Sequence, residues 1–180
     1  MLRLINADNA EITEHKKLYR SAFPLNERFP WFMLVRRARK GRAELLTLEH
    51  DGKNAGFAYV MTSDRLAYLF FFAVQERCRG LGIGTETIKQ LISRYNGKLF
   101  FLAIEPLDPT AANYEQRLKR HRFYQTCGLK DVPCRVKEAK MVYSVMSTGQ
   151  SFSVEDYCAM TDFFWGRRLR KLLGIELIYP

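Results

Sequence analysis

The apolar positions of this 180-residue chain fall into two kinds of pattern. Leu66 to Val74 reads LAYLFFFAV and Leu99 to Ile104 reads LFFLAI, both unbroken. Short continuous runs of this sort predict strands buried on both faces. Between them, Ile88, Leu91, Ile92 and Tyr95 recur at i, i+3, i+4 and i+7, which predicts an amphipathic helix closed by Asn96-Gly97. Strand, glycine-rich turn, helix and strand then follow in order, a βαβ unit with parallel strands and a right-handed crossover.

Shorter signals flank this unit. Leu2 to Ile5 reads as a first strand, and Asp8 or Asn9 caps a helix that ends before Pro24, with Ile12, Tyr19 and Phe23 near one face. Pro30 opens a second helix, with Trp31, Leu34, Val35 and Ala38 at helical spacing and Gly41 as its stop. Leu45 to Glu49 and Ala55 to Thr62 are strands joined through His50-Asp51-Gly52-Lys53, where Asp-Gly favours a hairpin. Tyr114 to Cys127 is helical by length and charge, although its apolar periodicity is poor. Met141 to Met146 is a late strand. Ser153 to Asp156 matches a capping box, and the helix it opens, Val154 to Leu173, carries Val154, Tyr157, Cys158, Thr161, Trp165, Leu169 and Leu172 on one stripe. So much apolar surface must dock, either on its own domain or at a seam between two copies in a homodimer.

Composition narrows the class. Hydrophobic residues make up 47% of the chain, enough for a substantial core. Lys and Arg total 29 against 19 Asp and Glu, a formal net charge of +10, which favours anionic partners without choosing among nucleic acid, membrane surface and phosphorylated small molecules. Cys78, Cys127, Cys134 and Cys158 show no C-x-x-C spacing, and only His15, His50 and His121 accompany them, so neither a metal site nor a disulfide framework is expected. The N-terminus lacks the apolar core of a signal peptide and no apolar run reaches membrane-spanning length. A soluble cytoplasmic protein, with no membrane partner, is the expectation.

The chemistry concentrates in the turn of the βαβ unit, Arg79-Gly80-Leu81-Gly82-Ile83-Gly84-Thr85. N–H groups at a helix N-terminus have no partner within the helix and bind phosphate oxygens where nothing blocks the approach. Glycine removes the blocking Cβ and permits the positive φ of a concave turn, and the Thr85 hydroxyl adds a donor. The dinucleotide pattern G-x-G-x-x-G fails, since Thr87 stands where its third glycine belongs; the Walker pattern fails for want of Gly-Lys-Ser/Thr. What fits is R-x-x-G-x-G at Arg79, Gly82 and Gly84.

In that signature the chain resembles the GNAT (GCN5-related) N-acetyltransferases, where the turn holds the pyrophosphate of coenzyme A. RFYQTCGL, Arg122 to Leu129, is similar to the family's second signature, with Tyr124 and Gly128 in its places; FPLNERFPW and FLAIEPLD resemble segments of a bacterial subgroup of unknown acceptor. Many members carry an asparagine seven residues before the tyrosine, where this chain has Arg117. The resemblance covers roughly residues 1 to 146 and implies an α/β (α+β) fold, a mixed sheet of about 6–7 strands with helices on both faces. Residues 1–149 would form the acetyltransferase domain and residues 150–180 a C-terminal helical appendage.

The resemblance also implies a reaction, transfer of an acetyl group from acetyl-CoA to a primary amine by direct attack in a ternary complex. Arg79 to Thr85 would hold the coenzyme, Ala73 or Val74 would give a backbone N–H to the thioester oxygen, and Tyr124 would protonate the leaving thiolate. Glu105, at the carboxyl end of a parallel strand, is the first candidate for the base and Glu27 the second, with a cation-binding role as its alternative. Arg77 and Arg79 flank the turn and suit the coenzyme's phosphates. The RLKRHR run from Arg117 to Arg122 reads as a solvated face, and without an RNA-binding aromatic motif nucleic acid is disfavoured as a partner. The acceptor is a small-molecule or peptide amine. The alternative function is a non-catalytic acyl-CoA-binding or regulatory module on the same fold.

Overall fold

The computed structural model describes residues 1–138, 141–149 and 152–179. Its strands are β1 (Leu2–Asn6), β2 (Glu44–His50), β3 (Lys53–Thr62), β4 (Leu66–Val74), β5 (Leu99–Ile104), β6 (Lys130–Glu138), β7 (Met141–Ser147) and β8 (Glu176–Ile178). Its helices are α1 (Asn9–Ala22), α2 (Trp31–Arg39), α3 (Ile83–Arg94), α4 (Tyr114–Thr126), α5 (Val154–Trp165) and α6 (Arg167–Leu172). The strands form one mixed, eight-stranded sheet in the order β1-β2-β3-β4-β5-β7-β6-β8. The chain sorts into two compact units, Met1–Thr62 with Leu69–Arg94 and Ser63–Tyr68 with Tyr95–Pro180.

The first unit is an antiparallel meander carrying three helices. β1 pairs with β2 from Leu2↔His50 to Asn6↔Leu46, and β2 with β3 across Thr47↔Phe57. Asp51 and Gly52 turn the β2–β3 hairpin with φ of 50° and 72°, the two positive φ values that a type I′ turn requires. Leu45, Leu46, Thr47 and Leu48 are all buried although successive residues point to opposite faces, so both faces of β2 are covered. Asp8 caps α1 in a capping box, its carboxylate accepting from Glu11 N–H at 2.8 Å while Glu11 Oε2 accepts from Asp8 N–H at 2.8 Å. The apolar stripe of α1 is interrupted by His15, which is fully buried. It bonds Thr47 Oγ1 at 2.8 Å and lies 5.3 Å from the Phe57 ring. Burial pulls its pKa down to about 4, so the ring is neutral at pH 7 and serves the core. On α3, Ile83, Thr87, Ile88 and Leu91 are buried, and Gln90 reaches the Leu2 carbonyl of β1 at 3.2 Å.

The second unit begins where β4 and β5 start side by side. Leu99 N–H donates to Arg65 O at 2.8 Å, and Tyr68 stacks on Phe101 with centroids 4.5 Å apart. Both strands run the same way from that point, which makes the pair parallel as the βαβ pattern requires. β5 then pairs antiparallel with β7, β7 with β6 and β6 with β8. The sequence reading did not single out β6 or β8. β6 does alternate, with Val132, Cys134 and Val136 buried between exposed neighbours, but Pro133 and the charged positions hide the pattern. Pro133 is accommodated because the register shifts between Val132 and Arg135.

The single C-terminal helix expected over Val154–Leu173 is two helices. Gly166 stands between them with φ 83°, a conformation that ends a right-handed helix. Its N–H closes α5 on Asp162 O at 2.8 Å, and Arg170 spans the break, with its Nε on Asp162 Oδ1 at 2.5 Å and Nη1 on Ile175 O at 3.1 Å. The expected stripe therefore fails at both ends: Val154 is 40% and Leu172 83% exposed, while Met160 and Phe164 join Tyr157, Thr161 and Trp165 in the core. Ser153 caps α5 through Asp156 N–H at 3.0 Å, and Phe152 and Tyr157 pack on Phe101 of β5. After α6 the chain returns to the sheet and adds β8 against β6, pairing Val136 with Leu177. Among the described residues no helix is long and apolar enough to cross a membrane.

Candidate active site

The glycine turn lies in the first unit, between β4 and α3. A short 3-10 turn, Glu76–Cys78, leaves β4, and Arg79 N–H closes it on Glu76 O at 3.1 Å. Gly80 and Gly82 then take φ of 76° and 75°. A Cβ on either would meet nothing within 4 Å, so internal packing does not demand glycine there; the left-handed backbone does, and the space in front stays open. Gly84 is different. It sits in the first turn of α3 without a positive φ, so the three alternating glycines do not share one role. The first bond of α3 runs from Glu86 N–H to Gly82 O at 3.0 Å, which leaves the N–H groups of Ile83, Gly84 and Thr85 without partners inside the helix. Gly80, Leu81 and Gly82 are exposed and Ile83 is buried, so the side chain of Ile83 anchors a loop whose backbone faces solvent.

The two arginines expected beside the turn divide their work. Arg77 donates from Nη2 to Asn54 O at 3.0 Å and from Nε to Gln75 Oε1 at 2.8 Å, tethering the start of β3 to the end of β4. Arg79 is exposed and makes no ion pair among the described residues. A free guanidinium beside unpaired N–H groups is an arrangement that suits a phosphate.

Gly56 sharpens the choice between Ala73 and Val74. An ideal Cβ on Gly56 would lie 2.2 Å from Ala73 O and 3.0 Å from Val74 Cα, an approach no side chain permits. Next to it, Gln75 N–H donates to Ala55 O at 2.8 Å. The Ala73 carbonyl is thus pressed onto β3 at Gly56. Because the peptide is planar and trans, the N–H of Val74 points the opposite way. Of the two expected donors, Val74 is the one whose N–H faces away from β3. Sequence reading passed over Gly56, yet an isolated glycine inside a strand pattern is the usual mark of close backbone approach.

The other expected residues belong to the second unit. Tyr124 lies in the last turns of α4 and is 8% exposed, and its hydroxyl makes no hydrogen bond among the described residues. Burial pushes its pKa up to about 12, so the phenol keeps its proton at neutral pH. Gly128, with φ 94°, ends the helix, and Leu129 N–H donates back to Tyr124 O at 3.2 Å.

Glu105, just past β5, is held from several sides. Arg117 Nη2 lies 3.1 Å from Oε1, Arg120 Nη1 2.9 Å from Oε2, and Asn113 Nδ2 donates to Oε1 at 3.1 Å. Arg117 also binds Asn113 Oδ1 at 2.8 Å and Pro106 O at 2.9 Å. The arginine that replaces the family's asparagine thus ties α4 to the end of β5. Of the RLKRHR run, Lys119, Arg120 and Arg122 are exposed, as a solvated face requires, while Arg117 and Arg120 also clasp Glu105 and the buried His121 bonds Asp131 at 2.7 Å. Glu27, in the 3-10 turn Leu25–Glu27 of the first unit, is half-buried and already engaged. Among the described residues no group of three or more His, Cys, Asp or Glu side chains is placed to hold a metal ion, and Cys78, Cys127, Cys134 and Cys158 are free thiols.

Comparison with known proteins gives a family. The model of the acetyltransferase (GNAT) family matches residues 9–129. No curated protein matches the chain. Among solved structures, a Bacteroides thetaiotaomicron protein assigned to the GNAT acetyltransferases aligns with TM-score 0.70 at 19% identity, covering 97% of this chain and 99% of its own. The ribosomal-protein-S18-alanine N-acetyltransferase of Escherichia coli aligns with TM-score 0.59 at 17% identity over 87% of this chain and 98% of that one. A Bacillus subtilis acetyltransferase in complex with CoA aligns with TM-score 0.56 at 14% identity, covering 83% and 98%. At these identities the likeness is one of fold.

Proposed function

This chain belongs to the GNAT acetyltransferase family, and from that premise we propose that it moves an acetyl group from acetyl-CoA to a primary amine by direct attack. The observation that carries the reading is the glycine turn: unpaired N–H groups at the start of α3, two left-handed glycines and the outward Arg79. The B. subtilis relative bound to CoA supports the choice of coenzyme. Acetyl-CoA supplies the activated acyl group. The backbone of Gly80 to Thr85 and the Arg79 guanidinium bind its phosphates. Val74 N–H donates to the thioester oxygen as that oxygen gains charge. Tyr124, a phenol that keeps its proton at neutral pH, gives that proton to the departing sulfur. Glu105 accepts a proton from the amine only once an arginine lets go of its carboxylate, so its constant work is to hold α4 against β5.

That occupied carboxylate also favours the second reading, a non-catalytic acyl-CoA-binding module. One experiment separates the two. Acetyl-CoA is incubated with a broad panel of amines, and thiol release is followed alongside acetylated product. Amine-dependent release confirms the enzyme, whereas tight coenzyme binding without release for any amine sinks it. Tyr124→Phe then tests the acid: turnover should fall by roughly ten- to a thousandfold with coenzyme affinity nearly intact. Wild-type turnover would make Tyr124 a packing residue.

A further inference from the structure

The helices α1 and α2 lie antiparallel and meet at both ends. Tyr19 and Trp31 touch at one end, with ring centroids 5.1 Å apart, and Arg39 Nη2 donates to Asn9 Oδ1 at 2.7 Å at the other. Beside this second contact is a cavity of about 390 Å³, the size of a small-molecule site. Its floor is apolar, with the buried Ala43 and Leu45 at the entry to β2. Its walls are Ile12 of α1 and the half-buried Val35 and Ala38 of α2. Asn6, Arg39 and Gly41 complete the lining and are exposed, so the cavity opens to solvent at their side.

The polar groups at that mouth are mostly uncommitted. Among the described residues the Asn6 side chain makes no hydrogen bond, and Arg39 makes its one hydrogen bond to Asn9 and no ion pair. Glu44, the one acid among the lining residues, is claimed by Arg94 at 2.5 Å. The charge around the mouth is otherwise of one sign: Arg36, Arg37, Arg39, Lys40 and Arg42 fall within seven residues. Burial, then the neighbouring Arg42 and Arg36, hold the Arg37 guanidinium below its ordinary pKa, as like charges set close together do. The end of a helix accommodates cations, but that alone does not call for an apolar recess beside them.

We infer that this cavity binds a small apolar carboxylate, its body on the Ile12, Val35, Ala38 and Leu45 surface and its anionic group at Arg39 and Asn6. A guanidinium offers five donors in a planar fork that fits a carboxylate, and the Asn6 amide adds another. The local positive potential draws an anion to the mouth. The site is apart from the Val74 N–H. Glu44 and Leu45 pair with Val60 and Tyr59, whereas the Ala73 carbonyl meets β3 at Gly56, three to four residues or roughly 10–13 Å along the strand. Occupancy is therefore independent of the acetyltransferase reading and is measured without turnover.

The test is calorimetry on the full chain with 2-naphthoate as the probe, against 2-naphthamide, 2-naphthylmethylamine and inorganic phosphate. Naphthoate should bind with Kd below about 1 mM, at least about fivefold more tightly than any of the other three. Arg39→Gln should weaken it at least about fivefold, and Arg39→Lys should restore part of the loss. Arg36→Gln, which removes a neighbouring charge outside the lining, should cost about twofold or less and only at low salt. Ala38→Leu, which fills the cavity from its wall, should abolish binding and so locates the probe. No binding at 1 mM, an amide or a phosphate that binds as well as naphthoate, equal losses in Arg36→Gln and Arg39→Gln, or binding that survives Ala38→Leu each overturns the inference. Thermal melts of every variant establish that folded proteins are compared.

Discussion

The glycine turn of the first unit and the Glu105 node of the second both carry residues that the sequence singles out, and they are built in opposite ways. The turn is almost all backbone: Gly80 and Gly82 take positive φ, the N–H groups at the start of α3 have no partner within the helix, and a Cβ at Gly80 or Gly82 would touch nothing. The node is almost all side chain, with Glu105, Asn113, Arg117 and Arg120 satisfying one another at 2.8–3.1 Å. An open backbone concavity waits for a ligand to complete it. A closed ion-pair cluster is complete already and holds elements in place. The difference decides what substitution does in each: changes in the turn should alter binding with little loss of stability, and changes in the node should do the reverse.

Five predictions press on that contrast. The largest effect is expected at Gly56→Ala, where the new methyl must displace the Ala73 carbonyl and so re-aim Val74 N–H. Turnover should fall about a hundredfold, the scale of losing one oxyanion donor, with coenzyme affinity changed far less. Steady-state kinetics with calorimetry checks this, and unchanged turnover in a folded variant would remove Val74 from the mechanism. Gly82→Val comes next. A branched residue at φ 75° distorts the turn and blocks the approach, and coenzyme affinity should drop by at least about tenfold, or about 1.4 kcal/mol. Glu105→Gln should cost about 1 kcal/mol of unfolding free energy, because two arginines lose their charge partner in a site that is partly solvated. Denaturant titration measures it, and coenzyme affinity should not move; a loss of binding without a loss of stability would reverse the contrast. The smallest effect belongs to Arg79→Gln, a loss of coenzyme affinity of roughly threefold that fades as salt is raised, as an exposed charge contact should. Arg77→Gln, by contrast, should show itself in stability, since its guanidinium is spent on Asn54 and Gln75.

The turn was legible in the sequence because backbone chemistry leaves a residue signature. Only glycine takes these φ values freely, and an apolar strand before it and an amphipathic helix after it fix its context. The buried strands β4 and β5 were legible for the same reason, with one dominant pattern and the bounds Leu66–Val74 and Leu99–Ile104. The node was not. Glu105 is a plausible base when read as a residue at a strand end, and only the fold brings Arg117 and Arg120 back upon it. The separate parts played by Arg77 and Arg79 were hidden similarly, since charge is visible in a sequence and its partner is not. At the C-terminus the stripe argument overran Gly166, because periodicity carries through a break that a single left-handed residue makes. Strand β6 escaped notice because its buried positions are few and its alternation is carried by Val132, Cys134 and Val136 between a proline and charges.

Strand β8 bears on how the second unit breathes. It contributes three residues, alternately exposed and buried, and binds β6 through pairs more than 35 positions apart, from Arg135↔Ile178 to Lys137↔Glu176. β6 and β7, by contrast, are close in sequence and share a long ladder. Closing the distant pair costs more chain entropy and returns fewer hydrogen bonds, so β8 should open in local excursions that leave the β6–β7 ladder shut. Amide exchange would then read the sheet from its edge inward, with the β8 protons lost first and those between β6 and β7 surviving until the whole unit unfolds.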